Sequence, residues 1–354
     1  MRNLVVVGAS AGGVEALTTL VAGLPRDFPA AVLVVLHVPS SGTSALPAIL
    51  RRSGALRAEH ATDEEELVPG RILVAPPDHH VIVYDGHVTL SRGPRENGQR
   101  PSVDVTFRSA ARMHGPRTIG VVLSGSLDDG AAGLLAISLR GGVGVVQDPS
   151  DALHPGMSLS AIEAASPEHV LPVAKIPSLL TDLVNESVPD RGPEESAATR
   201  LMEVETAMAE MDADTIRDAP EAFGQPAGFS CPDCNGSLYV LREGGLERYR
   251  CHVGHGWSPK SLLAQQSASM ESALWVALRT LEEKAALSAT MSREASERGH
   301  DRSAERFAEN ERDSTHAAGL VRDLIEKISS QAASVTDDVF EGVDSAIDEV
   351  EQPD

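Results

Sequence analysis

Three residues in the first 130 positions, Ser10, His37 and Asp129, have the side chains needed to break an acyl bond. A serine hydroxyl at its free pKa is a weak nucleophile, so it needs a base to take its proton. That base in turn needs an acceptor to fix its tautomer and hold the imidazolium. Ser10 lies in Gly8-Ala9-Ser10-Ala11-Gly12, which fits the G-x-S-x-G nucleophile elbow. Two other readings compete for this stretch. A dinucleotide-binding glycine loop needs a glycine where Ser10 stands and an acid after the second strand, where this chain has His37. A plain glycine turn is the other. A second chemical signal lies far downstream, where Cys231-Pro232-Asp233-Cys234 and Cys251-His252-Val253-Gly254-His255 have the spacing of a zinc ribbon. Three thiolates need a fourth ligand. His252 adjoins Cys251 and would be strained, whereas His255 leaves room for the chain to fold back. The expected set is Cys231, Cys234, Cys251 and His255 around a structural Zn2+, with a redox or free-thiol cluster as the competing reading.

The elements that must position these residues follow from the hydrophobic pattern. Leu4-Val5-Val6-Val7-Gly8-Ala9 is the unbroken apolar run of a strand covered on both faces, and the glycines after it mark a sharp turn into a helix over 14–23. A second run over 31–37 ends at His37-Val38-Pro39, and a third over 118–123 ends ahead of Asp128-Asp129-Gly130. Helices are expected over 43–52, 103–113, 131–139, 158–165 and 178–185, with strands at 144–147 and 170–171. Segments 57–61 and 71–75, with the pair 81–84 and 88–91 around Asp85-Gly86, read as a small β insertion containing a hairpin. The fold class is α/β, a doubly wound and mostly parallel sheet over residues 1–187. In such sheets ligands bind beyond the carboxyl ends of the strands, where Ser10, His37 and Asp128-Asp129 all fall. An acidic, Pro-rich linker with a short helix follows over 188–227, then the cysteine module over 228–257. A helical hairpin spans 258–331, and an acidic tail, frayed helix or disorder, spans 332–354.

Composition sets limits. The 354 residues exceed one average domain, and 42% hydrophobic content with only 3% aromatics calls for a core of Val, Leu, Ile and Ala. A net charge of −22 argues against binding nucleic acid or an anionic membrane. Without an apolar span of 18 residues or a signal peptide, direct membrane insertion is not expected and a cytoplasmic location is.

Five motifs then carry a resemblance. Val7-Gly8-Ala9-Ser10-Ala11-Gly12-Gly13, Leu36-His37-Val38-Pro39, Ala75-Pro76-Pro77-Asp78-His79-His80, Arg100-Pro101-Ser102-Val103-Asp104-Val105 and Leu123-Ser124-Gly125-Ser126-Leu127-Asp128-Asp129-Gly130-Ala131 occur in that order. Together they resemble the catalytic domain of the CheB-type protein-glutamate methylesterases of bacterial chemotaxis. The resemblance implies Ser10 as nucleophile, His37 as base and Asp129 as its orienting partner, with Asp128 the lesser candidate. It implies hydrolysis of glutamate γ-methyl esters on the cytoplasmic helices of methylated chemoreceptors, glutamine deamidation by the same steps, and no cofactor for catalysis. The chain departs from the family at Ala11, where threonine is common, at Ser124–Leu127, and at Met157-Ser158 in place of Met-Pro. The family's chemotaxis members place a receiver domain before the catalytic one, whereas this sequence starts at the first catalytic strand, so regulation by phosphorylation in cis is not expected. His79 and His80 are expected at the surface, and Arg100 either lines the cleft or merely precedes a helix. The C-terminal helices are expected to mediate packing or self-association. A non-catalytic signalling scaffold, or an esterase or amidase acting on a protein outside chemotaxis, is the competing function.

Overall fold

The computed structural model describes residues 1–188, 197–212, 214–215 and 224–350, with side chains described for all of these except 197–199 and 329–350. Parts of the expected linker and the last four residues of the expected tail lie outside that set. The chain divides into two compact units, Met1–Ala264 and Gln265–Asp354.

The first unit is built on a seven-stranded sheet. Its strands are β1 (Leu4–Ala9), β2 (Ala31–Leu36), β3 (Arg57–His60), β5 (Arg71–Val74), β8 (Thr118–Val122), β9 (Val143–Gln147) and β10 (His169–Leu171). They are ordered β10-β9-β8-β1-β2-β5-β3, and every neighbouring pair is parallel. Helices cover both faces, so alternate residues of β1 enter different cores. Val5, Val7 and Ala9 pack with Leu17, Leu20 and Leu180, from α1 (Gly13–Ala22) and α6 (Ile176–Asn185). Leu4 and Val6 pack with Phe107 from α3 (Val103–His114), Leu134 from α4 (Ala131–Leu139) and Ala161 from α5 (Gly156–Ala165). This two-sided burial is why β1 and β2 are apolar at every position. The helix expected at 43–52 is α2, Leu46–Ser53.

One expectation needs correction. Segments 57–61 and 71–75 are not part of an insertion: β3 and β5 extend the main sheet in parallel register, Arg57 beside Arg71 and His60 beside Val74. Only β4 (Glu65–Glu66), β6 (His80–Val83) and β7 (His87–Ser91) form the separate antiparallel sheet, with the β6–β7 turn at Asp85-Gly86. Parallel pairing is available to β5 because it returns beside β2, where Ile72, Leu73 and Val74 are buried.

The chain passes from β1 to β2 on one side and later to β8 on the other, so the switch point lies between β1 and β8. That is where an open parallel sheet leaves a crevice at its carboxyl edge. Close packing holds the crevice shut beneath. A Cβ at Gly8 would lie 2.3 Å from Val103 Cγ1, which makes glycine necessary where β1 meets the start of α3.

Helix α7 (Ala197–Glu210) and a four-stranded antiparallel sheet complete this unit. The sheet comprises β11 (Pro226–Ser230), β12 (Ser237–Glu243), β13 (Leu246–Cys251) and β14 (Gly256–Trp257), with a tight turn at Gly244-Gly245 between β12 and β13. Two long helices follow, α8 (Pro259–Glu297) and α9 (Asp301–Val350). In the second unit they meet along Leu278, Ala318 and Ile325, with an Arg322–Glu282 ion pair beside the seam. The break between them falls at Gly299, in the left-handed region at φ +73. No helix among the described residues is long and apolar enough to cross a membrane.

Candidate active site

Ser10 directly follows β1. Its N–H donates to the Ser124 carbonyl at 2.9 Å, and Gly12, at φ +68, turns the chain into α1. His37 directly follows β2, its N–H still on the ladder to the Ala9 carbonyl at 3.2 Å. Asp129 lies in the loop between β8 and α4. The three side chains meet: His37 Nδ1 is 3.1 Å from Ser10 Oγ, and His37 Nε2 is 2.7 Å from Asp129 Oδ2. A buried carboxylate only accepts, so Nε2 carries the proton and Nδ1 presents its lone pair to the serine hydroxyl. The ring is turned relative to the common serine-hydrolase arrangement, in which Nε2 faces serine, but the chemistry available is the same.

Asp129 is held on all sides. Its Oδ2 also accepts from the Val103 N–H at 2.8 Å. Its Oδ1 accepts from the Asp104 N–H at 3.2 Å, Ser102 Oγ at 2.9 Å and Asn97 Nδ2 at 3.1 Å. Burial pushes its carboxyl up. The bond and charge of His37, with the amides of Val103 and Asp104, outweigh burial and bring it down to about 2. The amides belong to the first turn of α3, so Asp129 caps that helix. Asp104 returns the arrangement, its Oδ1 accepting from the N–H groups of Gly130 at 2.9 Å and Gly133 at 2.6 Å in the first turn of α4. Burial, then the Asp129 charge, raise the Asp104 carboxyl well above the usual range. Two helix starts are thus locked together by exchanged carboxylates directly behind the imidazole.

Asp128 stands apart from His37. It is nearly buried, accepts from Ser258 Oγ at 2.8 Å, and is raised by that burial. His80 corrects the expectation of a surface residue: it is fully buried, Nε2 donating to the Pro94 carbonyl at 3.0 Å and Nδ1 accepting from the Ser102 N–H at 3.2 Å. Burial lowers it to about 4, so it is neutral and acts as a fixed prop for Ser102. Arg100 does not stand free. It clamps Asp78 Oδ1 through Nε at 2.9 Å and Nη2 at 2.6 Å, and donates to the Arg92 and Gly93 carbonyls. Sequence reasoning missed Asn97, Ser102 and Asp104 as supports of Asp129. Ser102 and Asp104 stand in a quoted motif, but nothing in their spacing tells which carboxylate they serve.

The second cluster lies in the small sheet. One ligand atom from each of Cys231, Cys234, Cys251 and His255 falls within 4.8 Å of the others. Cys234 Sγ and Cys251 Sγ are 3.6 Å apart, and Cys251 Sγ is 3.5 Å from His255 Nδ1. Edges of about 3.5–3.8 Å suit a tetrahedron with metal–sulfur bonds of about 2.3 Å and metal–nitrogen bonds of about 2.0–2.1 Å, and are far too long for a disulfide. Burial, then the neighbouring Cys231, push the Cys251 thiol up to about 12. With the His255 ring beside them, three cysteine sulfurs this close together could hold a metal ion. His252 is not part of it, its ring standing edge-on to Tyr239.

A family model described as CheB methylesterase matches residues 5–180. A putative protein-glutamate methylesterase/protein-glutamine glutaminase of Leptospira interrogans is 37% identical over 188 residues, covering 53% of this chain and 97% of that protein. The chain belongs to the CheB methylesterase family. A protein-glutamate methylesterase/protein-glutamine glutaminase 2 of Anaeromyxobacter dehalogenans is 40% identical over 181 residues, covering 51% of this chain and 53% of that one. The crystal structure of the Thermotoga maritima CheB methylesterase catalytic domain matches with a TM-score of 0.50 and 35% identity. That match covers 52% of this chain and all of that one. The chain spans about half the length of several curated CheB relatives it matches. The family match ends near α6, so the cysteine cluster and the long helices lie outside it.

Proposed function

We propose that this chain is a protein-glutamate methylesterase that hydrolyses glutamate γ-methyl esters on the cytoplasmic helices of methyl-accepting chemotaxis receptors. The observation that carries the reading is the single imidazole bridging Ser10 and Asp129. His37 Nδ1 takes the hydroxyl proton as Ser10 Oγ bonds to the ester carbon. The oxyanion forms beside the N-terminus of α1, whose dipole and backbone N–H groups favour negative charge, with the 124–130 loop on the other side. Methoxide leaves with the proton from His37, as methanol. Water then attacks the acyl-serine, giving its proton to His37, and the glutamate carboxylate leaves as Ser10 regains its own. Asp129 stays ionised and holds the imidazolium. With ammonia in place of methanol the same steps deamidate glutamine, an activity coupled to esterase in the names of relatives. No step calls for a cofactor, and the substrate puts the enzyme in the cytoplasm.

The test is methanol release from methylated chemoreceptor by wild type and by Ser10→Ala. Release by wild type above the variant is expected. Equal release by the two on every methylated receptor tried would end the esterase reading.

The same proposal extends to the other parts of the chain. Residues 1–187 carry catalysis. Cys231, Cys234, Cys251 and His255 would hold one structural Zn2+ in a ribbon-like module over 228–257. The helical hairpin over 258–331 would serve packing or self-association. Freshly purified protein should retain about one equivalent of zinc through dialysis, the number set by one four-ligand site. Metal analysis of Cys234→Ser should show that equivalent gone, and wild type without zinc would refute the assignment.

A further inference from the structure

Asn97 lies at the meeting of the two clusters. It occupies a left-handed turn, φ +53, followed by Gly98 at φ +73. Its two amide hydrogens go to carboxylates, Nδ2 donating to Asp129 Oδ1 and Asp104 Oδ2, each at 3.1 Å. Its Oδ1 accepts from the Ser258 N–H at 2.9 Å and from Ser261 Oγ at 2.9 Å. This satisfies all the hydrogen-bonding capacity normally counted for the side chain and fixes its orientation, since a flip would turn the carbonyl oxygen onto two carboxylates. The backbone is held as well: the Asn97 N–H donates to the Gly256 carbonyl at 2.8 Å, and the Gly256 N–H to the Arg95 carbonyl at 3.2 Å. Gly256 immediately follows His255, and Ser258 lies three residues beyond it. Ser258 Oγ also donates to Asp128, the neighbour of Asp129.

Resting on the reading of Asp129 as the acid behind His37, we propose that Asn97 is its positioning residue, set by the segment leaving the Cys231–Cys234–Cys251–His255 site, so that metal in that site holds the triad in register. The route is short. Cys251 and His255 bracket the turn that ends at Gly256, and Gly256, Ser258 and Ser261 make three of Asn97's hydrogen bonds. Closing the four ligands on a metal fixes that turn. Opening them frees Asn97, and Asp129 then loses a donor on the oxygen that does not face His37. In this chain the appended module is thus part of the catalytic support, although its ligands do not touch the reacting atoms.

The test uses the full chain and two readouts. One is kcat and KM for methanol release, and the other is the downfield proton resonance of His37 Nε2, which reports the bond to Asp129 without any substrate. Asn97→Ala should lower kcat about 10²-fold, the usual cost of a misplaced catalytic group, with KM changed less than about threefold, and should shift or broaden the resonance. In the Asp129→Asn background the same substitution should cost less than about threefold, because residues acting as a unit are not additive. Ser261→Ala, which removes a hydroxyl that donates to Asn97 Oδ1 and leaves Asn97 in place, and zinc withdrawal by chelation should move both readouts in the same direction. Thermal melting identifies any variant that fails to fold, and for such a variant the chelation result decides. An unchanged resonance after zinc withdrawal, or full additivity with Asp129→Asn, would overturn the proposal. An inactive wild type whose resonance still responds to zinc would instead sink the esterase reading and leave the coupling standing.

Discussion

Asp129→Asn should lower kcat about 10⁴-fold while KM changes little, the size seen when an orienting acid loses its charge. The geometry gives the reason. Three donors, Ser102 Oγ, the Asp104 N–H and Asn97 Nδ2, converge on Oδ1 and would keep the asparagine carbonyl there. The amide nitrogen would then face His37 Nε2 and the Val103 N–H. To avoid meeting donor with donor, His37 would move its proton to Nδ1, which faces Ser10, and the base could no longer accept. The Val103 N–H has no such escape, and a buried donor left unpaired costs about 1–3 kcal/mol of stability. Methanol release under saturating receptor, with urea unfolding of the same preparation, checks both parts. A variant within tenfold of wild type would remove Asp129 from the mechanism.

The pH dependence has a definite sign. Asp129 is brought from 3.8 to about 2 in the folded chain, so its contribution is fully present above the unfolded value and is lost as pH falls toward 2. A depression of that size is worth about 2 kcal/mol. Asp104 acts oppositely: its carboxyl is raised, so folding is favoured as pH falls through its range. Asp129→Asn should therefore flatten the acid-side loss of stability as well as slow turnover.

Much of this site can be read in the sequence because the strands that deliver it are buried on both faces. Unbroken apolar runs at β1, β2 and β8 end where Ser10, His37 and the Asp128-Asp129 loop begin. The outer strands are harder. Arg57-Ala58-Glu59-His60 has one exposed and two half-buried residues, a pattern equally suited to an antiparallel edge, so its parallel place beside β5 is not visible locally. His80 follows a turn with Asp78 at φ +59 and looks solvent-facing, until α3 packs over β6. The supports of Asp129 are hidden for a different reason. Asn97 answers to Ser258 and Ser261, more than 160 positions away, and no local periodicity links a turn to a residue that distant.

Glu205→Ala should destabilise the chain by about 3–5 kcal/mol, the cost of removing one partner from a buried ionic cluster. Glu205 is fully buried on α7. It accepts from Arg248 through Nη1 at 2.6 Å and Nη2 at 3.0 Å and from Arg250 Nη2 at 2.8 Å, with Arg108 Nε 3.8 Å away. Glu96 and Glu243 complete the set, Glu96 taking Arg108 and Arg250, and Glu243 taking Arg248. Three arginines thus face three glutamates, and the group draws together the 95–100 turn, α3, α7 and β12–β13. Burial pushes the Glu205 carboxyl up, but Arg108, Arg248 and Arg250 together hold it far below the usual range. Its contribution is therefore present at neutral pH and is lost on acidification. Alanine would leave three guanidinium groups facing two carboxylates in an almost dry interior, a net charge with no route to water. Urea unfolding of the full chain measures the loss. Glu59→Ala, at a part-exposed carboxylate shared by Arg57 and Arg71, serves as the control and should lose far less stability than Glu205→Ala. Because Glu96 adjoins Asn97 and Arg250 adjoins Cys251, loosening this cluster should also disturb the turn that steadies Asp129. Folded Glu205→Ala should therefore lose turnover at urea concentrations where its fold still holds, and parallel loss of the two would separate the cluster from the active site.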